Sequence, residues 1–338
     1  MPDLLVVGDA NPDLVLRGGS VEPAFGQREQ LVERAELVLG GSGAIVACGA
    51  ARLGLEVAMY ARVGDDSLGE LTMRRLRAAG VDVAPVEVVA GETTGISVGL
   101  VRGDDRAVLT APGALAALDP DALPDELLRG SRHVHVASPF LQPRLAAGAG
   151  RLVARARAAG ATTSLDTGWD PAERWALPAE ALRADILFPN AEEAVRLAAA
   201  ADPRAEAGEP RGGAGEPRGA AGGRRGAAGG PRAAAGANPR AAARALAAAG
   251  AIVALKLGAA GAVAYAGGEA AEVAPPAVDF VDATGAGDSF DAGFVAARLA
   301  GEPLAAALAL AVACGALSTR AAGGTAAQPT LEEARALT

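Results

Sequence analysis

Short apolar runs recur along this chain, and most are followed by a longer amphipathic or alanine-rich stretch. Helices are predicted in these stretches, for example up to about Leu53, up to Ala79, and over Leu145–Ala159. The apolar runs predict buried strands over Leu4–Gly8, Val57–Arg62, His133–Ala137, Thr162–Leu165, Ile186–Phe188 and Ile252–Leu257. This alternation predicts a mostly parallel sheet with helices on both faces, and ligand sites at the C-terminal ends of its strands.

A second group of strand-like segments has no helical pattern between its members. These segments alternate in polarity and are separated by turn residues, which is typical of an antiparallel sheet. They are Val32–Leu39, Val86–Val89, Gly95–Arg102 and Arg106–Thr110. The sequence therefore predicts a small sheet apart from the main one.

The segment 201–238 breaks the pattern altogether. It consists almost entirely of Ala, Gly, Pro, Arg and Glu, and it contains no Val, Ile, Leu or aromatic residue. Such a composition buries too little apolar surface to offset the entropy lost on ordering. We expect a disordered surface insertion here.

Composition narrows the class of protein. The chain has 338 residues, of which 51% are hydrophobic, and a net charge of −9, which argues against nucleic acid as a principal partner. Cys48 and Cys314 each lie in an Ala-Cys-Gly-Ala setting on a helical stretch, so we expect small core residues and not a metal or disulfide pair. No apolar run reaches membrane-spanning length and no signal peptide is evident, so a soluble cytoplasmic protein without a membrane partner is expected.

The turn from Asp282 to Phe290 carries the clearest chemistry. It reads Asp-Ala-Thr-Gly-Ala-Gly-Asp-Ser-Phe and lies between a strand-like run over 277–281 and a helical run that begins at Phe290. A helix start preceded by glycines exposes unpaired N–H groups and favours an anion such as phosphate. Asp288 would repel that anion unless it accepts a proton from an attacking hydroxyl. A simple helix cap is the alternative for this turn taken alone.

Asp282–Phe290 resembles the C-terminal signature of the ribokinase family, the PfkB-type carbohydrate kinases. Further segments are similar to motifs of that family and follow in the family's order: Gly40–Ile45, Gly64–Gly69, Asn190–Glu193 and Lys256–Gly261. Two positions depart from the ribokinase pattern, because Ser42 replaces a lysine and Ile45 replaces an asparagine. Two polar contacts to a pentose are therefore absent.

The resemblance implies a ribokinase-like three-layer αβα sandwich of the α/β class, with a mostly parallel central sheet and a small β-sheet lid. The whole chain, 1–338, would form one kinase domain, with the lid drawn from about 14–39 and 85–110. The implied reaction transfers the γ-phosphate of ATP to a hydroxyl of a sugar or sugar acid. The implied catalytic residues are Asp288 as general base and the backbone of Gly285, Ala286 and Gly287 as the anion hole.

The resemblance also implies binding roles. ATP would contact Lys256, Gly258, Gly261 and Thr284; Mg²⁺ would be held through water by Asn190 and Glu193; K⁺ is a further candidate, at Asp282. The acceptor would be held by Asn11, Asp13, Gly40, Gly41 and Asp166. Residue by residue, plainer interpretations stay open: an Asx turn for Asn11, a helix cap for Asn190, and a strand-end lysine for Lys256.

Two other functions remain open from the sequence. A nucleoside kinase of the adenosine or inosine type shares this fold and catalytic turn, and differs in the acceptor pocket. A non-catalytic sugar sensor is the second alternative, and the intact Asp288 counts against it. The family often pairs lids between subunits, so a homodimer is expected.

Overall fold

The structure is a computed structural model that describes residues 1–103, 105–201 and 238–338. The segment expected to be an insertion, 201–238, lies outside the described residues except for its two ends. The strands are β1 (Leu4–Val7), β2 (Asn11–Arg17), β3 (Arg34–Gly40), β4 (Val57–Tyr60), β5 (Arg62–Gly64), β6 (Glu87–Val89), β7 (Ile96–Arg102), β8 (Asp105–Ala111), β9 (His133–Ala137), β10 (Thr162–Asp166), β11 (Ile186–Leu187), β12 (Ile252–Lys256), β13 (Ala262–Ala266) and β14 (Glu269–Val273).

The helices follow most of these strands. They are α1 (Ser42–Arg52), α2 (Ser67–Ala78), α3 (Asp125–Arg129), α4 (Pro143–Ala158), α5 (Ala191–Ala200), α6 (Pro239–Ala247), α7 (Ala286–Leu299), α8 (Leu304–Ser318) and α9 (Leu331–Arg335). Short 3₁₀ turns lie at Gly113–Ala117, Pro120–Ala122, Pro139–Leu141, Ala181–Arg183 and Gly258–Ala260. Among the described residues, no helix is both long enough and apolar enough to cross a bilayer.

The central sheet has eight strands in the order β14-β13-β12-β11-β10-β9-β1-β4. The pairs from β4 to β12 are parallel, and β13 and β14 continue the sheet as an antiparallel edge. Successive residues of a strand point to opposite faces, and β1 shows the result: Leu4 and Val6 enter one core, and Leu5 and Val7 the other. Helices α1, α2, α7 and α8 cover the first face, and α3 to α6 the second. The predicted three-layer αβα sandwich is confirmed.

The small sheet is also confirmed, with strand order β3-β2-β7-β8. We call this sheet the lid. Two details differ from the prediction. The polar segment Asn11–Asp13, expected to be a turn, begins strand β2, where Asn11 pairs with Gly40 at the end of β3. Strand β6, expected in the lid, pairs instead with β5 in a separate two-stranded ribbon.

The apolar run 277–281 was expected to form a strand and does not. Phe280 is 60% and Val281 52% exposed, and only Val278 packs against the edge of a core. Instead Ala277, Val278 and Phe280 line a cavity, which explains why the segment is apolar without being buried in the sheet. The helix after it begins at Ala286, four residues before the predicted start, so Asp288 lies in its first turn.

Candidate active site

The turn before α7 is shaped by Gly285, which caps the helix in the left-handed conformation with φ of 73°. A side chain there would also collide, since a Cβ would lie 2.6 Å from Gly324 Cα and 3.0 Å from Ile45 Cγ2. The Ala286 N–H donates to the Ala283 carbonyl at 3.2 Å, so this predicted anion-hole donor already has a partner. Within the described residues, the N–H groups of Gly285, Gly287 and Asp288 have no backbone acceptor. These three donors point to an anion at the helix N-terminus.

Asp288 is half-buried at the third position of α7. Its Oδ1 accepts a hydrogen bond from the Ser42 hydroxyl at 2.5 Å. Burial, helped by the charge of Asp166, raises the pKa of Asp288 to about 7, although the Ser42 hydrogen bond opposes this rise. A carboxylate that titrates near neutral pH suits proton transfer from a hydroxyl.

Lys256, the single lysine of the chain, ends β12 among carboxylates. Its Nζ lies 2.7 Å from Asp166 Oδ2 and 3.3 Å from Asp291 Oδ1. Burial raises the pKa of Asp166, but the Lys256 ammonium and the hydrogen bonds with Asp291 and the Gly168 N–H together lower it to about 2. Burial raises the pKa of Asp291 well above its usual range, and the charge of Lys256 opposes this rise. A Cβ on Gly287 would lie 3.4 Å from Lys256 Nζ, so the ammonium adjoins the free N–H groups of the turn.

Asp166 was predicted among the residues that hold the acceptor, and the structure places it beside the proposed base. One oxygen each of Asp166, Asp288 and Asp291 lies within 4.8 Å of the others, so Asp166 belongs to the group around Lys256. Asp166 Oδ1 accepts from the Gly168 N–H at 3.0 Å. The acceptor-binding role of Asp166 stays a prediction.

Asn11 and Asp13 meet at the start of β2, as predicted. Asn11 Nδ2 donates to Asp13 Oδ1 at 3.0 Å and to Ser97 Oγ at 3.4 Å, and Ser97 hydrogen bonds to Thr110 at 3.1 Å. Burial raises the pKa of Asp13 to about 6, helped by the charge of Asp9 and opposed by that of Arg106. Gly40 makes room for this group, because a Cβ there would lie 2.1 Å from the Asp13 carboxyl. These acceptors and hydroxyls form a polar cluster suited to a polyol.

Asp9 links this cluster to the catalytic turn. Its carboxylate accepts from the Ser42 N–H at 3.0 Å and from the Gly43 N–H at 2.9 Å, so it caps α1 from another loop. Gly41 has φ of 83°, and a Cβ there would lie 2.8 Å from the Asp9 carbonyl. The glycines of 40–43 thus let α1 start against Asp9, which places the Ser42 hydroxyl on Asp288.

A cavity of about 540 Å³ opens on the other side of the turn, between the β12–β13 connection and helices α7 and α8. Three of the predicted ATP residues, Lys256, Gly258 and Gly261, line it, and Thr284 does not. The far wall is apolar and includes Pro275, Pro276, Val278, Phe280, Val312 and Ala316. A flat apolar group fits this wall, while Lys256 and Gly287 at the near end can face an anion.

Asn190 and Glu193 form a helix cap at the start of α5. Asn190 Oδ1 accepts from the N–H groups of Glu192 and Glu193, and Glu193 Oε2 accepts from the Asn190 N–H at 2.8 Å. Asn190 also forms a bridge with Lys256, which places the cap beside the carboxylate group. Burial raises the pKa of Glu193 to about 7, helped by the charge of Asp166. Glu193 Oε1 accepts no hydrogen bond from a described residue, so it fits the predicted role of holding a hydrated Mg²⁺.

Asp282 was predicted as a K⁺ ligand, and its carboxylate is already surrounded by donors. It accepts from Arg17 at 2.5 Å, from the Thr284 N–H and hydroxyl at 3.0 and 2.8 Å, and from the Gly323 N–H at 2.9 Å. The Arg17 guanidinium already places a positive charge beside the Asp282 carboxylate, where K⁺ was predicted. Arg106 donates to the Thr284 hydroxyl at 2.9 Å, so two lid arginines reach this loop. The K⁺ role stays a prediction.

The sequence matches the model of the pfkB family carbohydrate kinases over residues 1–220 and 224–331. The chain belongs to the pfkB family. Kinases of this family are phosphotransferases that act on sugar hydroxyl groups, and the chain is an enzyme of that class. The resemblance to the PfkB-type carbohydrate kinases that was based on Asp282–Phe290 is thereby confirmed.

Individual pfkB relatives are similar to this chain over nearly its full length. The chain is 32% identical to an ATP-dependent ribose-1-phosphate kinase of Halopiger xanaduensis over 329 residues, which cover 94% of this chain and 92% of the relative. The fold of this chain matches that of Arabidopsis thaliana ribokinase complexed with ribose and ATP. The TM-score is 0.77, the identity is 24%, and the match covers 99% of this chain and 98% of the other. It also matches a putative ribokinase II of E. coli in complex with ATP and Mg²⁺, with a TM-score of 0.78, 22% identity and coverage of 100% and 99%.

Four further residues contact the candidate site of this pfkB kinase and were not predicted to do so. They are Ser42, Asp291, Arg17 and Arg106. At position 42 the sequence shows only that a serine replaces the lysine of the ribokinase motif. The structure adds that the Ser42 hydroxyl contacts Asp288. Asp291 stands three residues after Asp288 on α7, and this helical spacing is a signal that could have found it. The two arginines carry no local signal, because their partners lie more than 170 residues away in sequence.

Proposed function

We propose that the protein transfers the γ-phosphate of ATP to a hydroxyl of a sugar, sugar phosphate or sugar acid. One observation carries this proposal: Asp288, with a pKa of about 7, stands beside free N–H groups of Gly285 and Gly287. A base and an anion hole at the same helix start suit in-line phosphoryl transfer.

In the proposed reaction the acceptor hydroxyl gives its proton to the Asp288 carboxylate while its oxygen attacks the γ-phosphorus. The bond between that phosphorus and the β,γ-bridging oxygen breaks, and ADP leaves. The free N–H groups stabilise charge on the moving phosphoryl group, and donors of this kind are each worth about 10²–10³ in rate. The Lys256 ammonium, beside Gly287, adds positive charge on the donor side.

The donor nucleotide would occupy the cavity between α7 and α8, its base against the apolar wall and its phosphates toward Gly287. Mg²⁺ bound with ATP would neutralise part of the phosphate charge, and Asn190 and Glu193 would hold it through water. The complex of a structural neighbour with ATP and Mg²⁺ supports these two cofactors.

The acceptor would lie against Asn11, Asp13, Gly40 and Gly41, with the attacking hydroxyl near Asp288. The carboxylate and amide of the first two can bind several hydroxyl groups of one polyol. The relative with 32% identity is named for ribose 1-phosphate, so pentoses and their 1-phosphates are the first acceptors to test.

The test is ADP release with Mg·ATP against a panel of sugars, sugar phosphates, keto-deoxy sugar acids, adenosine and inosine. We expect one acceptor to dominate, and Asp288→Asn to lower kcat at least roughly 10²-fold while ATP affinity changes only a few fold. Near-normal turnover by Asp288→Asn would refute the assignment of the base. Preference for a nucleoside would reassign the acceptor, and ATP binding without turnover on the whole panel would favour a sensor.

A further inference from the structure

The inner face of the lid carries two kinds of polar row. Register across the sheet aligns Asp13 with Ser97 and Ser97 with Thr110, and these side chains form the polyol cluster. Four residues further along β2, Arg17 aligns with Val101, and Val101 with Arg106. Because side chains alternate along a strand, both rows project from the same face. The lid therefore presents an arginine pair on the side that presents its acceptor-binding groups.

Both arginines extend from this face to one loop. Arg17 donates to Asp282 and Arg106 to Thr284, and the Thr284 hydroxyl in turn donates to Asp282 at 2.8 Å. The backbones of β2 and β8 are two strand spacings apart, or about 10 Å. The guanidinium groups therefore approach the same three-residue loop, directly before the turn that carries the free N–H groups.

Each of the two arginines keeps a donor or a charge that has no partner among the described residues. The Nε of Arg17 is buried and has no hydrogen-bond partner among the described residues. Arg106 forms no ion pair with a described residue, and its positive charge lowers the pKa of Asp13, which shows that it lies close to the polyol cluster. A neutral sugar has no negative charge that could pair with a second arginine at this position. A phosphate group, in contrast, readily accepts hydrogen bonds from two arginines.

We propose that Arg17 and Arg106 form an anion subsite for a phosphate group that the acceptor already carries. The inference rests on the proposed kinase function and names its substrate class: a sugar phosphate, with its phosphate beside the 282–284 loop. The hydroxyl groups of the sugar contact Asn11 and Asp13. The arginines recognise the phosphate of the acceptor, and the free N–H groups at 285 and 287 serve the transferred one.

The experiment compares kcat/KM for ribose 1-phosphate and ribose in the wild type, Arg106→Gln and Arg102→Gln. Arg102 is the matched control, because it lies on the opposite face of the same sheet and is 67% exposed. We expect the wild type to prefer ribose 1-phosphate. Arg106→Gln should lower kcat/KM for the phosphorylated acceptor roughly 10- to 100-fold and leave ribose within a few fold, as hydrogen bonds to a charged group are worth that much. Arg102→Gln should change neither.

Arg17→Gln is the second variant, and it should weaken the phosphorylated acceptor at least as strongly as Arg106→Gln. An equal loss of kcat/KM for both acceptors would overturn the subsite, since the arginines would then act on the lid. A rise only in the KM for ATP would also overturn it, since the arginines would then act on the donor. A wild type that prefers ribose or a carboxylate-bearing sugar would also overturn it. Those outcomes leave the kinase intact, whereas absence of ADP release with every acceptor would refute the proposed function itself.

Discussion

Ser42 sets the protonation of the proposed base. Its hydroxyl donates to Asp288 at 2.5 Å and favours the charged carboxylate, against the burial that raises the pKa to about 7. Because the base acts unprotonated, kcat/KM should fall as pH drops below 7. Ser42→Ala removes a hydrogen bond to a charged group, so the pKa should rise by about one unit and the acid limb should move to higher pH by the same amount.

The measurement is kcat/KM against pH from about 5.5 to 9 for the wild type, Ser42→Ala and Ser67→Ala. Ser67 is the matched control, because it occupies the first position of another helix, α2, and is exposed. If the acid limb of Ser42→Ala coincides with that of Ser67→Ala, the serine does not tune Asp288. A loss of rate that is equal at all pH values would assign Ser42 to acceptor positioning instead.

At the scale of elements, the start of α5 combines a helix cap with a proposed metal role, and one substitution separates them. Glutamine can replace glutamate in a capping box, so Glu193→Gln should keep the cap while it removes the carboxylate. We expect the Mg²⁺ concentration for half-maximal rate to rise roughly tenfold, which is the cost typical of losing a group that orients a metal's ligands. The free energy of unfolding should change by less than about 0.5 kcal/mol.

Helix α9 supplies the control, since Thr330 and Glu333 form the same capping box away from the carboxylate group. Asn190→Ala and Thr330→Ala should each lower the free energy of unfolding by about 1 kcal/mol, because each loses a cap. Only Asn190→Ala should also shift the Mg²⁺ curve. An unchanged curve in Glu193→Gln would limit these residues to capping.

Elements with a local signal could be predicted from the sequence. The βα alternation predicted the central sheet, because strands buried on both faces read as continuous apolar runs. The turn at 282–290 was recognisable because glycines and a helix start lie side by side in sequence. The prediction of a strand over 277–281 was wrong, because a segment that lines a cavity can be as apolar as a buried strand.

Contacts between distant segments could not be predicted. Ser42 and Asp288 are 246 residues apart, and Arg17 and Asp282 are 265 apart. Neither pair has a spacing or period that marks it, because only the tertiary fold brings the partners together. The pairing of Lys256 with Asp166, 90 residues apart in sequence, belongs to the same class.

At the scale of the whole molecule, the outer face of the lid is apolar and exposed. Register places Leu37, Leu14, Val98 and Leu109 in one row across all four strands, with Leu37 38% and Leu109 61% exposed. Nothing polar interrupts this row, whereas the opposite face carries Asp13, Ser97, Thr110 and the two arginines. A contiguous apolar strip on a sheet favours association, and a second lid offers the same strip.

We therefore expect a homodimer that pairs the outer faces of two lids, with twice the 33.2 kDa mass of one chain. Leu109→Glu places a charge in that contact and should shift the protein to monomer in light scattering after size-exclusion chromatography. Val88→Glu is the control, as Val88 is 53% exposed on β6, outside the lid sheet. A monomeric wild type at micromolar concentration, or equal effects of both substitutions, would refute the contact. Because the arginine pair projects from the opposite face, Leu109→Glu should leave the preference for ribose 1-phosphate over ribose unchanged even as the dimer dissociates.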